Sequence, residues 1–344
     1  HYGLQTPPRI YGHETAGTIV KIGRGKTILA VRSPSAPKFV LKIGDRVALH
    51  HHVPCMVCHF CRRRAFAQCP TNKLTGITAG FEPAGGGFAE YVRVMPFVLP
   101  GVVKIPARNS FEEAAMFEPL NTVLKSVNRL NVFPGDRVLV AGQGPIGLMF
   151  TKLLNLRGIQ VLATDFLESR LRLARRFGAK WAVAAKAGDA EISIPKNFFP
   201  RTARGGNVSA SRSAPLDAAV IAVPSDAAVR QALKRVRGGG QIMLFAHTKR
   251  AGASLSSSNA AGRDGLFALD LASICVDEKD LMGSYAADFT IQNEVGRLIF
   301  SRKFDMRKLI THRFPLEQAA EAVAVAAHPT ADSLKVVVTV APSN

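Results

Sequence analysis

Val138-Leu-Val-Ala-Gly142-Gln-Gly144-Pro-Ile-Gly147 is a G-x-G-x-x-G run lodged between an apolar strand, expected over 136–141, and a helix, expected over 145–156. In such a turn Gly142 permits the tight bend, Gly144 lets a pyrophosphate approach the backbone, and Gly147 lets helix and strand pack closely. The amino end of the helix stabilises the phosphate charge. Outward from this run, strand and helix alternate. A strand is expected over 159–164, an Arg-rich amphipathic helix over 167–177, a strand over 218–223, a helix over 226–236 stopped by glycines 238–240, and a strand over 241–246. That alternation means βαβ units and a parallel sheet. The second strand runs into Asp165, eighteen residues after Gly147, where an acid accepts bonds from both hydroxyls of an adenosine ribose. A carboxylate there repels a 2′-phosphate and favours NAD over NADP, although Arg170, five residues on, is able to reach a phosphate.

The chain has 344 residues, above the roughly 250–300 at which single cores tend to split, so two domains are expected. Apolar residues make up 47%, which excludes a chain disordered throughout. Lys+Arg 45 against Asp+Glu 25 gives a net charge of +20. Such a balance attracts anionic surfaces nonspecifically, but the charge is spread along the chain and no specific nucleic-acid partner is expected. No apolar run reaches the roughly 18 residues of a membrane helix, and no cleavable leader is visible. A soluble, cytoplasmic protein with no membrane partner is the expectation.

The first 120 residues have a different texture. Short runs over 18–22, 46–50, 89–94 and 102–105, separated by Gly and Pro, read as strands of a small β-rich domain. A helix over 316–327 and a strand over 335–340 in the same style suggest that the chain leaves this domain, builds the α/β domain and returns. The stretches 24–41, 187–214 and 249–266 are rich in Ser, Ala, Arg, Gly and Pro without a sustained period, and read as surface insertions.

Cys55-x2-Cys58-x2-Cys61-x7-Cys69 supplies four thiolates within reach of one tetrahedral ion. Zinc suits four sulfur ligands with no redox demand, and a closed four-thiolate site leaves no position for substrate, so structural zinc is expected. An iron–sulfur cluster is the alternative, though nothing else suggests electron transfer. The knuckle is too tight for a nucleic-acid-binding zinc ribbon. Gly12-His13-Glu14-Thr-Ala-Gly17, closing at Gly23, places an imidazole beside a carboxylate ahead of a strand.

These three motifs, in the chain order Gly12-His13-Glu14, Cys55 to Cys69 and Gly142 to Gly147, resemble the zinc-dependent medium-chain alcohol dehydrogenases. Glu118-Pro119-Leu120, Asp165-x4-Arg170 and Thr311-His-Arg-Phe-Pro-Leu-Glu317 bring the chain closest to the polyol branch of sorbitol and threonine dehydrogenase relatives. The resemblance implies a GroES-like β-rich catalytic domain over 1–120 and 287–344, and a Rossmann doubly wound parallel-sheet domain over 121–286. It implies two zinc ions per chain. His13 would bind the catalytic zinc, Glu14 would be a ligand or near-ligand exchanging with water, and Glu118 would stand at the zinc or on its water. Ile146, Asp165 and Arg170 would line the NAD site, with Phe245, Ala246, Ser284 and Tyr285 near the nicotinamide. The reaction implied is transfer of a hydride from a secondary alcohol, of polyol or sugar-like type, to NAD, with zinc as Lewis acid on the alcohol oxygen. An apolar strand over 273–284 would pair across a homodimer or homotetramer. In that family a Cys lies shortly before Gly-His-Glu. None precedes His13, and the chain, opening at His1 without Met, is expected to begin downstream of it. A non-catalytic NAD-binding scaffold and a nucleic-acid-binding protein are the alternatives.

Other residues have plainer readings. Three consecutive histidines, His50, His51 and His52, would alternate faces on a strand without converging, and read as a strand end and turn. His59 reads as a solvated lobe residue and Cys275 as a buried strand thiol. Glycines 85–87 read as a flexible turn feeding a strand rather than a second phosphate loop, since no helix follows. His247, His312 and His328 have no partner motif.

Overall fold

The computed structural model describes residues 10–23, 29–30, 39–73, 85–186, 192, 194–198, 216–246 and 268–340. The chain divides into two compact units, His1–Lys125 with Tyr285–Asn344, and Ser126–Ser284.

In the first unit the strands are β1 (Thr15–Thr18), β2 (Leu29–Ala30), β3 (Phe39–Val40), β4 (Arg46–Leu49) and β5 (Val102–Lys104). β4 is central, antiparallel to β1 on one side and β5 on the other. The inward residues of this sheet bury Leu41, Leu49, Val53, Val98 and Val102 with Phe289. β2 and β3 form a two-residue antiparallel ladder inside the stretch expected as an insertion. The helix Phe111–Ala115 begins with a capping box, Ser110 Oγ accepting from Glu113 N–H and Glu113 accepting from Ser110 N–H. Arg302 Nε donates to the buried Glu113 Oε1 at 2.9 Å, which ties the returning segment to that helix start. Directly after it, Phe117–Val127 forms a longer helix whose first turn carries Glu118.

The second unit holds β6 (Arg137–Ala141), β7 (Gln160–Asp165), β8 (Trp181–Ala184), β9 (Leu216–Ile221), β10 (Val236–Leu244) and β11 (Asp280–Gly283). They form one six-stranded parallel sheet in the order β11-β10-β9-β6-β7-β8. β6, β7 and β9 are apolar and buried over nearly their whole length, as strands covered on both faces must be. Helices Pro145–Leu156, Glu168–Arg176 and Asp226–Arg235 supply the cover. The strand order reverses between β6 and β9, and in open α/β sheets the crevice outside the carboxyl ends at such a reversal binds ligands. The first unit resumes with β12 (Ile310–Pro315) and β13 (Lys335–Thr339), a parallel pair joined through the helix Ala319–Ala327.

Several expectations are corrected. The strand expected over 18–22 lies three residues earlier, as β1, and no strand forms over 89–94. Glycines 238–240 do not follow a helix into a turn. They lie inside β10, where the register to β9 shifts between Val236 and Gln241. The apolar strand expected over 273–284 is a short helix, Leu271–Cys275, followed by β11, and Cys275 is exposed rather than buried. The helix expected over 316–327 opens with a 3-10 turn, Leu316–Gln318. Most of 187–214, and 249–266 with His247, lie outside the described residues. Among the described residues no helix is long and apolar enough to cross a membrane.

Candidate active site and metal centres

The nucleotide loop follows β6 directly. Gly142 has φ +89°, and a Cβ on it would meet Val223 Cβ at 3.0 Å. A Cβ on Gly147 would lie 1.8 Å from Gly142 O, inside the loop's own backbone. At Gly144 nothing stands within 4 Å of a Cβ, so the fold itself does not ask for glycine there. The unfilled space stands at the amino end of Pro145–Leu156, for which Gly144 is the N-cap residue, and a phosphate fits both its bareness and its polarity. Ile146 is half-buried in that first turn.

Asp165 ends β7 with its carboxylate engaged by backbone. Oδ2 accepts from Gln143 N–H at 2.7 Å and Oδ1 from Leu167 N–H at 3.0 Å. A carboxylate has about four lone-pair sites, so positions for a ribose diol remain. Arg170 Nη1 stands 3.9 Å from Asp165 Oδ2. Gln143, missed in the sequence reading, is fully buried. It donates to Val140 O at 3.0 Å and accepts from Thr151 Oγ1 at 2.9 Å, stiffening the loop between its glycines. Phe245 and Ala246 follow β10, both donating backbone N–H to Ile221 O at 3.1 Å, and the Phe245 ring meets Phe150 edge-on. Ser284 follows β11 and bonds Ser126 through its hydroxyl at 2.8 Å. In this parallel sheet Gly142, Asp165, Phe245 and Ser284 therefore stand at the same, carboxyl, end. Tyr285 belongs to the other unit, where Lys125 Nζ donates to its carbonyl at 2.8 Å.

In the first unit, two donor sets come together. The Sγ atoms of Cys55, Cys58, Cys61 and Cys69 all lie within 4.8 Å of one another, packed with the buried Phe66. Cys55 and Cys61 sulfurs are 3.9 Å apart, and Cys58 and Cys61 sulfurs 3.5 Å. Zinc–sulfur bonds of about 2.3 Å in a tetrahedron place sulfurs about 3.8 Å apart, so the four thiols fit zinc. Backbone already favours thiolate here: burial alone would raise the Cys69 thiol, yet N–H donors from Cys55 and Asn72 bring it down to about 6. Burial, with the neighbouring Cys58 and Cys69 side chains, pushes Cys61 up to about 12. His59 is exposed, beside Arg63.

The second set is His13, Glu14 and Glu118, whose donor atoms also lie within 4.8 Å of one another. His13 and Glu14 come from the turn ahead of β1, and Glu118 from the helix start. Glycines 85–87 brace that turn. Gly87 and Phe88 donate backbone N–H to Gly12 O and Tyr11 O at 2.8 Å, and a Cβ on Gly87 would lie 1.9 Å from Thr15 Cγ2. The glycines read as a flexible turn are thus tightly packed. Burial holds the His13 imidazole below its usual range, in the neutral form a metal ligand requires. Burial, with Glu14 close by, raises Glu118 to about 8. Glu14 itself is ion-paired with Lys335 of β13. One neutral imidazole and two carboxylates offer three protein ligands, the number that leaves a zinc position open to substrate.

The histidine triplet is a strand end and turn, as expected, but its rings do not stay apart. β4 ends at Leu49, His50 N–H donates to Gly101 O at 2.8 Å, and Val53 N–H closes a tight turn onto His51 O at 2.9 Å. Strand alternation therefore stops before the triplet, and the rings converge. His51 and His52 centroids are 3.8 Å apart, and His51 is 5.5 Å from the His13 ring. All three are buried.

Two family models match the chain, Alcohol dehydrogenase GroES-like domain over residues 1–107 and Zinc-binding dehydrogenase over residues 145–299. A sorbitol dehydrogenase of Gallus gallus is 28% identical over 316 residues, spanning 92% of this chain and 76% of the relative. One from Bacillus subtilis is 28% identical over 334 residues, spanning 96% and 81%. A solved structure described as a short chain alcohol dehydrogenase from E. coli CFT073, complexed with cofactor NADH, superposes with a TM-score of 0.73 at 23% identity, covering 98% of this chain and 86% of that one.

Proposed function

We propose that this chain, which belongs to the zinc-dependent medium-chain alcohol dehydrogenase superfamily, oxidises a secondary alcohol of polyol or sugar-like type to a ketone, with NAD as hydride acceptor. The observation that carries the reading is the convergence of His13, Glu14 and Glu118 in a chain that also has the dinucleotide loop. When bound, zinc supplies Lewis acidity toward an alcohol oxygen and the nicotinamide accepts the hydride. The chain's own residues do the rest. His13, Glu14 and Glu118 would hold the catalytic ion, with Lys335 balancing one of the two carboxylates so that the site's charge stays moderate. Cys55, Cys58, Cys61 and Cys69 would hold the structural ion. The N–H groups that open Pro145–Leu156 would bind the pyrophosphate and Asp165 the adenosine ribose, a buried carboxylate disfavouring NADP. Phe245, Ala246, Ser284 and Tyr285 would border the nicotinamide.

In this reading residues 1–120 and 287–344 form the catalytic domain and 121–286 the cofactor domain. The same reading makes the protein a cytoplasmic homodimer or homotetramer, and sedimentation of the intact protein as a monomer would contradict the assembly. The activity is tested by NAD reduction with a panel of polyols, with and without chelation. Turnover should cease on chelation and return with zinc. Turnover indifferent to chelation, or none with any polyol, overturns the proposal.

A further inference from the structure

Two carboxylates in one small cluster repel, and each needs a counter-group. Glu14 has Lys335. Glu118 is 5% exposed, and among the described residues the one His, Lys or Arg nitrogen within 4 Å of its carboxylate is His52 Nδ1, at 3.4 Å from Oε1. His52 itself is 8% exposed and its ring lies against that of His51. Its Nδ1 makes no well-aligned hydrogen bond in this structure, and neither does either ring nitrogen of His51. A buried polar nitrogen without a partner costs about 1–3 kcal/mol, so an imidazole kept here for packing alone is a poor choice beside a leucine or phenylalanine. Nor do His51 and His52 belong to the donor cluster itself, which consists of His13, Glu14 and Glu118.

We propose that His52 is a positioning residue for Glu118, its Nδ1–H donating to Oε1 and holding the carboxylate in the orientation that binds the catalytic zinc. The proposal rests on the metal site described under the proposed function. The present separation is about half an ångström longer than a usual N–H···O bond of roughly 2.9 Å, within the reach of a small side-chain adjustment. The His51 ring, tilted at 42° with its centroid 3.8 Å from that of His52, limits the room the His52 ring has to turn away from Glu118. Groups that orient metal-bound carboxylates and imidazoles typically contribute a factor of about 10–100 in metal affinity.

The test is zinc affinity, read by competition with a chromogenic chelator on the intact protein. The Cys55–Cys69 lobe serves as internal control. Wild type should hold two zinc ions per chain. His52→Ala should weaken the site of His13, Glu14 and Glu118 by about 10–100-fold while the lobe ion is retained. His52→Asn, whose amide stands near the place of Nδ1, should restore most of the affinity, and His52→Gln, whose amide stands near Nε2, should not. In a Glu118→Gln background His52→Ala should add no further loss. If His52→Ala fails to fold, shown by loss of the lobe ion as well, the contrast of Asn with Gln reads the same question. A two-zinc wild type whose His52 variants keep its affinity, or lose it equally without Glu118, overturns this proposal alone. A wild type holding only the lobe ion overturns the metal reading beneath it, and this proposal with it.

Discussion

Gly144 and Gly147 stand in the same loop and answer to different demands. A methyl group on Gly147 would strike Gly142 O at 1.8 Å, whereas one on Gly144 meets nothing. Gly147→Ala is therefore expected to destabilise the second unit by at least the roughly 1–3 kcal/mol of an overpacked core. Gly144→Ala should lower stability by no more than the roughly 0.5–1 kcal/mol of a poorer N-cap and weaken NAD binding at least tenfold, because its methyl fills the space a phosphate would enter. Calorimetry of both variants, with and without NAD, separates the two outcomes. Equal stability loss in both, or unimpaired NAD binding by Gly144→Ala, would refute the division. The sequence already distinguished these roles, since the spacing of glycines between a strand and a helix has few physical explanations. It could not show that Asp165 is anchored by Gln143 and Leu167 amides, because a contact twenty-two residues apart depends on how β6 and β7 align.

At the scale of elements, the parallel sheet was legible because its strands are buried on both faces and its helices carry full amphipathic turns, so period and length agree. Residues 89–94 look like a strand by alternation yet take no strand conformation, and 50–52 look like a strand's continuation yet turn inward after Leu49. A two-residue period applies only where a ladder exists, and ladder ends are set by partners far away in sequence, such as Gly101. The inward turn has a pH consequence. Burial lowers His50 to about 4 and holds His51 and His52 well below the usual histidine range. Their unfolded values are near 6.5, so unfolding takes up a proton at each as pH falls below that. Glu118, raised to about 8, works against them, releasing one proton on unfolding in the same range. His13, held low by burial as well, adds to the uptake, so at least three protons taken up against one released leaves net uptake, and stability of the metal-free protein should fall as pH drops from 6.5 toward 5. Each net proton contributes about 1.4 kcal/mol per pH unit. The urea midpoint of the metal-free protein at pH 5.5 should lie below that at pH 7. A midpoint that holds or rises would mean that the triplet is not buried in the folded chain.

Over the whole molecule the dominant electrostatic fact is a net charge of +20. NAD is an anion and a polyol is neutral, so a field of this sign raises the encounter rate of one and leaves the other alone. Adding salt shortens the screening length to about 10 Å at 0.1 M and 3 Å at 1 M, which removes the long-range part of the attraction. Turnover measured with saturating polyol should accordingly lose kcat/KM for NAD several-fold between roughly 20 and 300 mM sodium chloride, a range chosen to span that screening. With saturating NAD, kcat/KM for the polyol should hardly move. The same field draws in polyanions. Duplex DNA should compete with NAD at the low end of the range and cease to do so at the high end, because binding through phosphate neutralisation falls steeply with salt. Competition that persists at physiological salt would mean a dedicated nucleic-acid surface, and the Cys55–Cys69 lobe would then have to be read as part of it. Salt-independent kcat/KM for NAD would mean instead that the excess charge lies too far from the dinucleotide loop to act on it.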